Sequence, residues 1–277
     1  MAVKLLTVKQ HQEVLKRLLE LGKQRGGRVP IHAAGEEYTS LMICFLLHSL
    51  SAAESILRLS ASFGDEWFPA TVGYSIVRPM FEIDVTAHYI TKSPAERARQ
   101  YIDFGAVLNK RKMEACAKHR KSRDAGWREG MELEWQHYWA SREPDVNKKF
   151  DAVSSQFTRK ENPRKGELFK NWSGKSIRKM AEDVDQLESY DVFYGELSSF
   201  THGNVHLADR FLRCRADGPA WSQRSNEFDV GNVLRHAATF LTCYMELFGQ
   251  QFKTWSDIEV EACWDRCLLN QQTSDGK

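Results

Sequence analysis

Ser198, Thr201, His202, Asn204 and His206 crowd one short stretch of the chain, with Gly203 among them. Imidazole is the side chain that changes charge nearest neutral pH, so two of them four residues apart beside hydroxyls and an amide form a candidate proton-transfer site. The competing reading is that His202 only caps the carbonyls of its own helix. Just upstream, Tyr190, Phe193, Leu197 and Phe200, with Tyr194 and Thr201, recur at the intervals that gather side chains on one helical face. The spacing predicts a short packed helix, closed by Gly203 because glycine best suits the left-handed turn that ends a helix.

A second pair with chemical potential is Arg78 and Glu82, four residues apart in a stretch that is otherwise apolar. Val72, Ile76, Met80, Ile83, Ala87 and Ile90 recur at helical spacing, so the stretch reads as a helix over about Ala70 to Ile90. Pro79 removes one amide donor and crowds the preceding turn, which predicts a kink with freed carbonyls. Arg78 and Glu82 then point the same way. On a solvated face such a pair contributes only a few tenths of a kcal/mol. In apolar surroundings it is partly desolvated and must be held by partners.

The elements that position these residues are helical. Val14, Leu15, Leu18, Leu19 and Leu21 make one face of an opening helix ended by Gly22 and the turn at Arg25 to Gly27. Met42, Phe45, Leu46, Ala53, Ile56 and Leu57 mark a core helix from Glu36 to about Phe63. Ser93-Pro94-Ala95-Glu96 reads as a helix start with a serine cap, proline at the first position and an acid in the first turn. That helix turns basic at Lys110, Arg111, Lys112, Lys118, Arg120, Lys121 and Arg123, and Gly126 separates it from a polar-aromatic helix over Trp127 to Trp139. A second basic cluster, Arg159, Lys160, Arg164, Lys165, Lys170, Lys175, Arg178 and Lys179, surrounds Asn162-Pro163 and the Trp172-Ser173-Gly174 turn. Arg210, Arg213 and Arg215 lead into a loop at Asp217-Gly218-Pro219. The clearest helix carries Val230, Val233, Leu234, Ala237, Leu241, Tyr244, Met245 and Phe248 on one stripe. Ser256 caps a last helix through Cys267, with a frayed polar tail after it. The class is all-α, one helical bundle with core segments 36–109 and 176–250 and a basic helical arm over 110–175.

Composition narrows the function classes. The chain has 277 residues, 42% hydrophobic and 27% charged, ordinary for a globular protein. Lys plus Arg number 39 against 37 for Asp plus Glu, so the net charge of +2 says little about partners, but the two local basic clusters suit RNA or another phosphate-bearing ligand. Cys44, Cys116, Cys214, Cys243, Cys263 and Cys267 are scattered, mostly inside apolar helical patterns, and no signal peptide precedes them. They read as reduced core cysteines of a cytoplasmic protein. Cys263 and Cys267 lack a second pair at zinc spacing, so no metal or other cofactor is expected. The apolar run Leu41 to Leu47 is too short to span a bilayer, so no membrane is expected either. A bundle with an arm is compatible with a homodimer.

Arg78-Pro79-Met80-Phe81-Glu82, Glu96 to Tyr101, Trp172 to Ile177, and Tyr190 to Tyr194 with Leu197 to Gly203 resemble an uncharacterised all-helical bacterial family, a domain of unknown function. Its pattern is Arg-x3-Glu on one helix and Leu-Ser-x3-His on a later one, and the resemblance covers about Glu36 to Phe248. A more distant resemblance is to the helical HEPN domains of toxin and phage-defence ribonucleases, whose pattern is Arg, a polar residue, three others, then His. Aligned on His202, Ser198 takes the polar position and Leu197 stands where the arginine belongs. Arg78 would then have to supply the cation in space.

Three functions are compatible with these residues. In a metal-independent ribonuclease or phosphodiesterase, His202 exchanges the proton, Arg78 stabilises phosphate charge, Glu82 orients Arg78, and Ser198, Asn204, His206 and Tyr194 hold the substrate. In a non-catalytic helical module that binds nucleic acid, nucleotide or protein, Arg78, Glu82 and His202 are a structural polar network. In a metal hydrolase, His202 and His206 act with Glu82 or Asp209, although Gly203 and Asn204 interrupt the helical spacing that two ligands four apart require.

Overall fold

The computed structural model describes residues 6–27, 29–61, 70–159, 166–201, 212–215, 218–221 and 227–274. In chain order these form α1 (Val8–Arg25), α2 (Glu36–Ala61), α3 (Ala70–Thr91), α4 (Pro94–His119), α5 (Ala125–Glu134) with a π turn at Trp135–Trp139, and α6 (Glu143–Val153). Next come α7 (Ile177–Asp183), α8 (Leu187–Ser189), a second π turn at Tyr190–Tyr194, α9 (Gly195–Thr201), strands β1 (Leu212–Arg215) and β2 (Gly218–Trp221), α10 (Glu227–Phe252) and α11 (Asp257–Ser274). The class is all-α. The chain divides into two compact units, Met1–Lys92 with Ile177–Lys277, and Ser93–Ser176.

In the first unit, α10 is the central helix and packs against α1, α2 and α3. Its stripe of Val230, Val233, Leu234, Ala237, Leu241, Tyr244, Met245 and Phe248 is fully buried, as the periodicity requires. The Tyr244 hydroxyl, sealed inside, donates to the Met42 carbonyl at 2.6 Å and so keeps its polar tip satisfied. Thr7 and Gln10 open α1 with a reciprocal capping box. α1 does not stop at Gly22. That residue is buried, and a Cβ there would lie 2.7 Å from Leu50 Cδ2, so glycine allows α1 and α2 to approach closely instead of breaking the helix. Ser256 and Glu259 cap α11 reciprocally, and α11 continues to Ser274, past the expected end at Cys267.

The second unit is built on α4, α5 and α6, with Met113, Cys116, Trp139 and Val146 as one buried cluster. Phe104 meets Phe157 edge to face at 5.1 Å, and Tyr101 meets Trp172 at 5.3 Å. The residues expected to form an arm, 110–175, lie in this unit, which begins earlier, at Ser93. Ser93 does not cap α4 in the expected way: its hydroxyl donates to the Glu96 carboxylate at 2.9 Å and not to the backbone. α5 instead has a side-chain cap, Asp124 accepting from the Trp127 amide at 2.9 Å. Gly174 takes the positive φ of 69° that the Trp172-Ser173-Gly174 turn demands.

Two further expectations are corrected. β1 and β2 pair antiparallel, with Leu212 opposite Trp221 and Cys214 opposite Pro219, where the sequence reads as a loop. Four residues per strand are too few for alternation to register, and Pro219 argues locally against pairing. Cys44 is exposed, whereas Cys116 and Cys263 are buried and Cys243 is half-buried. By length and composition alone α2 is long and apolar enough to cross a membrane, over a stretch longer than the run Leu41 to Leu47. Its buried residues, Leu41, Met42, Phe45 and Leu46 among them, belong to a face packed against α1, α3 and α10.

Candidate functional site

α3 runs unbroken through Pro79 and packs against α9. On it, Arg78 Nε donates to Glu82 Oε1 at 2.9 Å. Arg78 Nη2 donates to the Tyr194 hydroxyl at 3.0 Å, and that hydroxyl donates to Glu82 Oε1 at 3.1 Å. The three side chains close a hydrogen-bonded triangle between α3 and the π turn. The guanidinium carbon also stands 5.1 Å from the centre of the Tyr194 ring.

Charge and burial in the triangle reinforce one another. The Arg78 side chain is 16% exposed and that of Glu82 32%. Burial opposes the charge on Arg78, but the hydrogen bond and charge of Glu82, with Tyr194 adding to them, hold its pKa above the ordinary value. Burial and the nearby Glu82 charge raise the Tyr194 phenol against the opposing pull of Arg78. Tyr194 therefore stays a protonated donor at neutral pH. Charge-assisted hydrogen bonds of this kind fix a guanidinium in direction as well as place.

The π turn explains how Tyr194 reaches Arg78. It inserts an extra residue into the helical run Leu187 to Thr201 and shifts the register of α9 beyond it, a device that recurs at functional sites. Tyr190 and Tyr194 stack at 4.6 Å between centroids, and both rings lie against Phe81, at 6.5 and 6.1 Å. Phe193 meets His236 at 4.9 Å and Phe240 at 5.8 Å. Of the expected packed face, Leu197 is fully buried and Tyr190, Phe193 and Tyr194 are half-buried, while the side chains of Phe200 and Thr201 lie outside the described residues.

Of the residues singled out from the sequence, Arg78, Glu82 and Tyr194 come together. Ser198 sits half-buried on α9, with no hydrogen bond to that group. His202, Asn204 and His206 lie outside the described residues, as do Asp209 and the glycine expected to close the helix, Gly203. Lys160, Arg164 and Lys165 of the second basic cluster also lie outside them. Among the described residues no group of His, Cys, Asp and Glu could hold a metal ion.

A second polar group on α3 escapes the sequence reading. Asp84 is buried, with Oδ1 3.3 Å from His88 Nδ1 and Oδ2 accepting from Gln186 Nε2 at 3.1 Å. Burial disfavours the His88 cation, but Asp84, with a smaller contribution from Glu246, outweighs it and raises the imidazole pKa. The signal is present: Asp84 and His88 have the same four-residue spacing as Arg78 and Glu82 in the same apolar helix. Two further buried rings, His11 and His236, leave Nδ1 without a hydrogen-bond partner. Burial first, and Arg235 second, lower the pKa of each to about 4.

Residues 39–219 match the model of a family of unknown function, DUF5677. The chain belongs to that family. The matched segment contains the Arg78–Glu82–Tyr194 triangle and the histidines at 202 and 206. No curated protein and no solved structure matches the chain.

Proposed function

We propose that this DUF5677 protein is a metal-independent ribonuclease of the HEPN-like type, with a role in phage defence or a toxin system. The observation that carries the reading is the Arg78 guanidinium, held in direction by Glu82 and Tyr194 on a side chain that is 16% exposed. A fixed cation of that kind is suited to the charge that develops on a phosphate during transfer. His202 takes the proton of a ribose 2′-hydroxyl, and the 2′ oxygen attacks the adjacent phosphorus. The bond from phosphorus to the 5′ oxygen breaks, and the proton passes to that oxygen. The products are a 2′,3′-cyclic phosphate and a free 5′-hydroxyl. Glu82 and Tyr194 act as positioning residues for Arg78, while Ser198, Asn204 and His206 hold the substrate. Single-stranded RNA incubated with the purified protein should acquire cyclic phosphate ends, and His202→Ala should abolish them while leaving the melting temperature near that of the parent. Undiminished cleavage by His202→Ala would overturn the assignment.

A second reading, a non-catalytic helical module that binds nucleic acid, nucleotide or a protein, is favoured by one observation. Nε and Nη2 of Arg78 are both engaged within the triangle, as in a network that fixes a helix crossing. Under that reading no RNA is cut, and Glu82→Gln lowers the melting temperature as its main effect.

A further inference from the structure

In the second unit, the end of α4 and the start of α5 form a surface in which aromatic rings alternate with cations. Residues 118–128 contain Lys118, Arg120, Lys121, Arg123 and Arg128 against the single carboxylate of Asp124. Asp124 is used locally, capping α5 through the Trp127 amide. That cap fixes the position of Trp127 in the first turn, yet its side chain is left 61% exposed. His119 flanks it, with ring centroids 6.2 Å apart. Burying a tryptophan removes a large apolar area from water, so one left this open on an ordered helix is available to a partner.

The acids of α5 offset only part of the patch. Glu132 is spent on Arg120, at 2.6 and 3.1 Å, while Glu134, which accepts from the neutral Trp139 Nε1–H at 3.1 Å, and Glu129 keep their charge on the side of α5 beyond Trp127. Lys118, Lys121, Arg123 and Arg128 are exposed and make no ion pair among the described residues. The neighbouring π turn repeats the alternation: the Arg120 guanidinium lies 4.6 Å from the Trp135 ring centre, and that of Arg142 4.0 Å from the half-open Tyr138. An apolar partner would strand these cations, whereas a duplex would offer no free base to Trp127. A flexible polyanion that carries planar rings satisfies both requirements.

We infer that the corner formed by the end of α4 and the start of α5 is a docking surface for single-stranded nucleic acid, with a base stacked on Trp127 and phosphates paired with Lys118, Lys121, Arg123 and Arg128. The inference rests on the reading of the protein as one that acts on RNA, and it adds where an unpaired strand is first held. The test is anisotropy of a labelled oligothymidylate of about a dozen nucleotides, within the usual span of such sites, titrated with the full chain. That strand lacks the 2′-hydroxyl and cannot be cut by the chemistry proposed above. The parent should bind it, more weakly as salt rises, and better than a duplex of equal length. Trp127→Ala should weaken binding by about five-fold or more, with Trp127→Phe in between. Arg123→Glu should weaken binding and flatten its salt dependence. Circular dichroism of each variant confirms that helix content is kept. No binding by the parent, equal binding by Trp127→Ala, preference for the duplex, or capture only by anionic vesicles would each overturn the surface. A protein that docks the strand but never cuts RNA overturns the chemistry of the first unit alone.

Discussion

α3 carries two acid–base pairs at the same four-residue spacing, and their surroundings differ. Arg78 and Glu82, with side chains 16% and 32% exposed, share the Tyr194 phenol as a common hydrogen-bond partner. Asp84 and His88 are completed by Gln186, and the Asp84 side chain is only 4% exposed. The spacing sets which side chains meet, but the face of the helix sets what the meeting does. A carboxylate sealed in the core must be paired to be tolerated at all. The Arg78 side chain, nearer the edge, keeps 16% of its surface exposed.

The two pairs can be separated by perturbation, and the largest expected effect belongs to neither. His11 and His236 have folded-state pKa values near 4 against an ordinary 6.5, so the unfolded chain binds more protons between those values. Stability should therefore fall as pH drops from about 6.5 to about 4, on the order of a few kcal/mol for each ring. His88 has the opposite sign: its raised folded pKa gives stability that is complete below 6.5 and lost as pH rises through the raised value. Chemical denaturation across pH should show a maximum between the two losses, and His88→Gln should remove the loss on the alkaline side only. A monotonic profile would contradict this assignment.

Next in size, Asp84→Ala should cost about 3 kcal/mol, because it removes the buried carboxylate that pairs with the half-buried His88 and Gln186. Its effect on RNA cleavage should track the loss of folded protein and no more. Tyr194→Phe should cost about 1 kcal/mol in stability, the net worth of one hydrogen-bonded hydroxyl. It should slow cleavage by more than the stability loss explains, since Arg78 loses its second anchor. If Asp84→Ala proves milder than Tyr194→Phe, the contrast between a sealed pair and an edge pair is wrong.

How much of the molecule is legible in its sequence depends on the range of the interaction. The stripe of α10 and the Arg78–Glu82 pair are local patterns, and both are readable. Tyr194 stands out for its place in a polar-aromatic run, but its attachment to Arg78 joins positions far apart in the chain and leaves no periodic trace. The π turn that aims it is a one-residue insertion, which a helical repeat cannot distinguish from ordinary drift. Gly22 shows the same ambiguity: a glycine that looks like a stop is a close contact with Leu50, visible only when the second helix is present. Asp84 and His88 are readable by the rule applied to Arg78 and Glu82, but their third partner, Gln186, is far away in the chain and leaves no local sign.

The measurement that bears most directly on Arg78 is cleavage of single-stranded RNA by the parent protein and by Arg78→Lys, with the cyclic phosphate ends counted and the melting temperature recorded in parallel. Lysine keeps the charge but cannot make the two directed hydrogen bonds to Glu82 and Tyr194. The expected result is near-complete loss of cyclic ends, with a melting shift no larger than that of Tyr194→Phe. Equal cleavage by the two proteins, or no cleavage by either, would contradict the role given to the triangle.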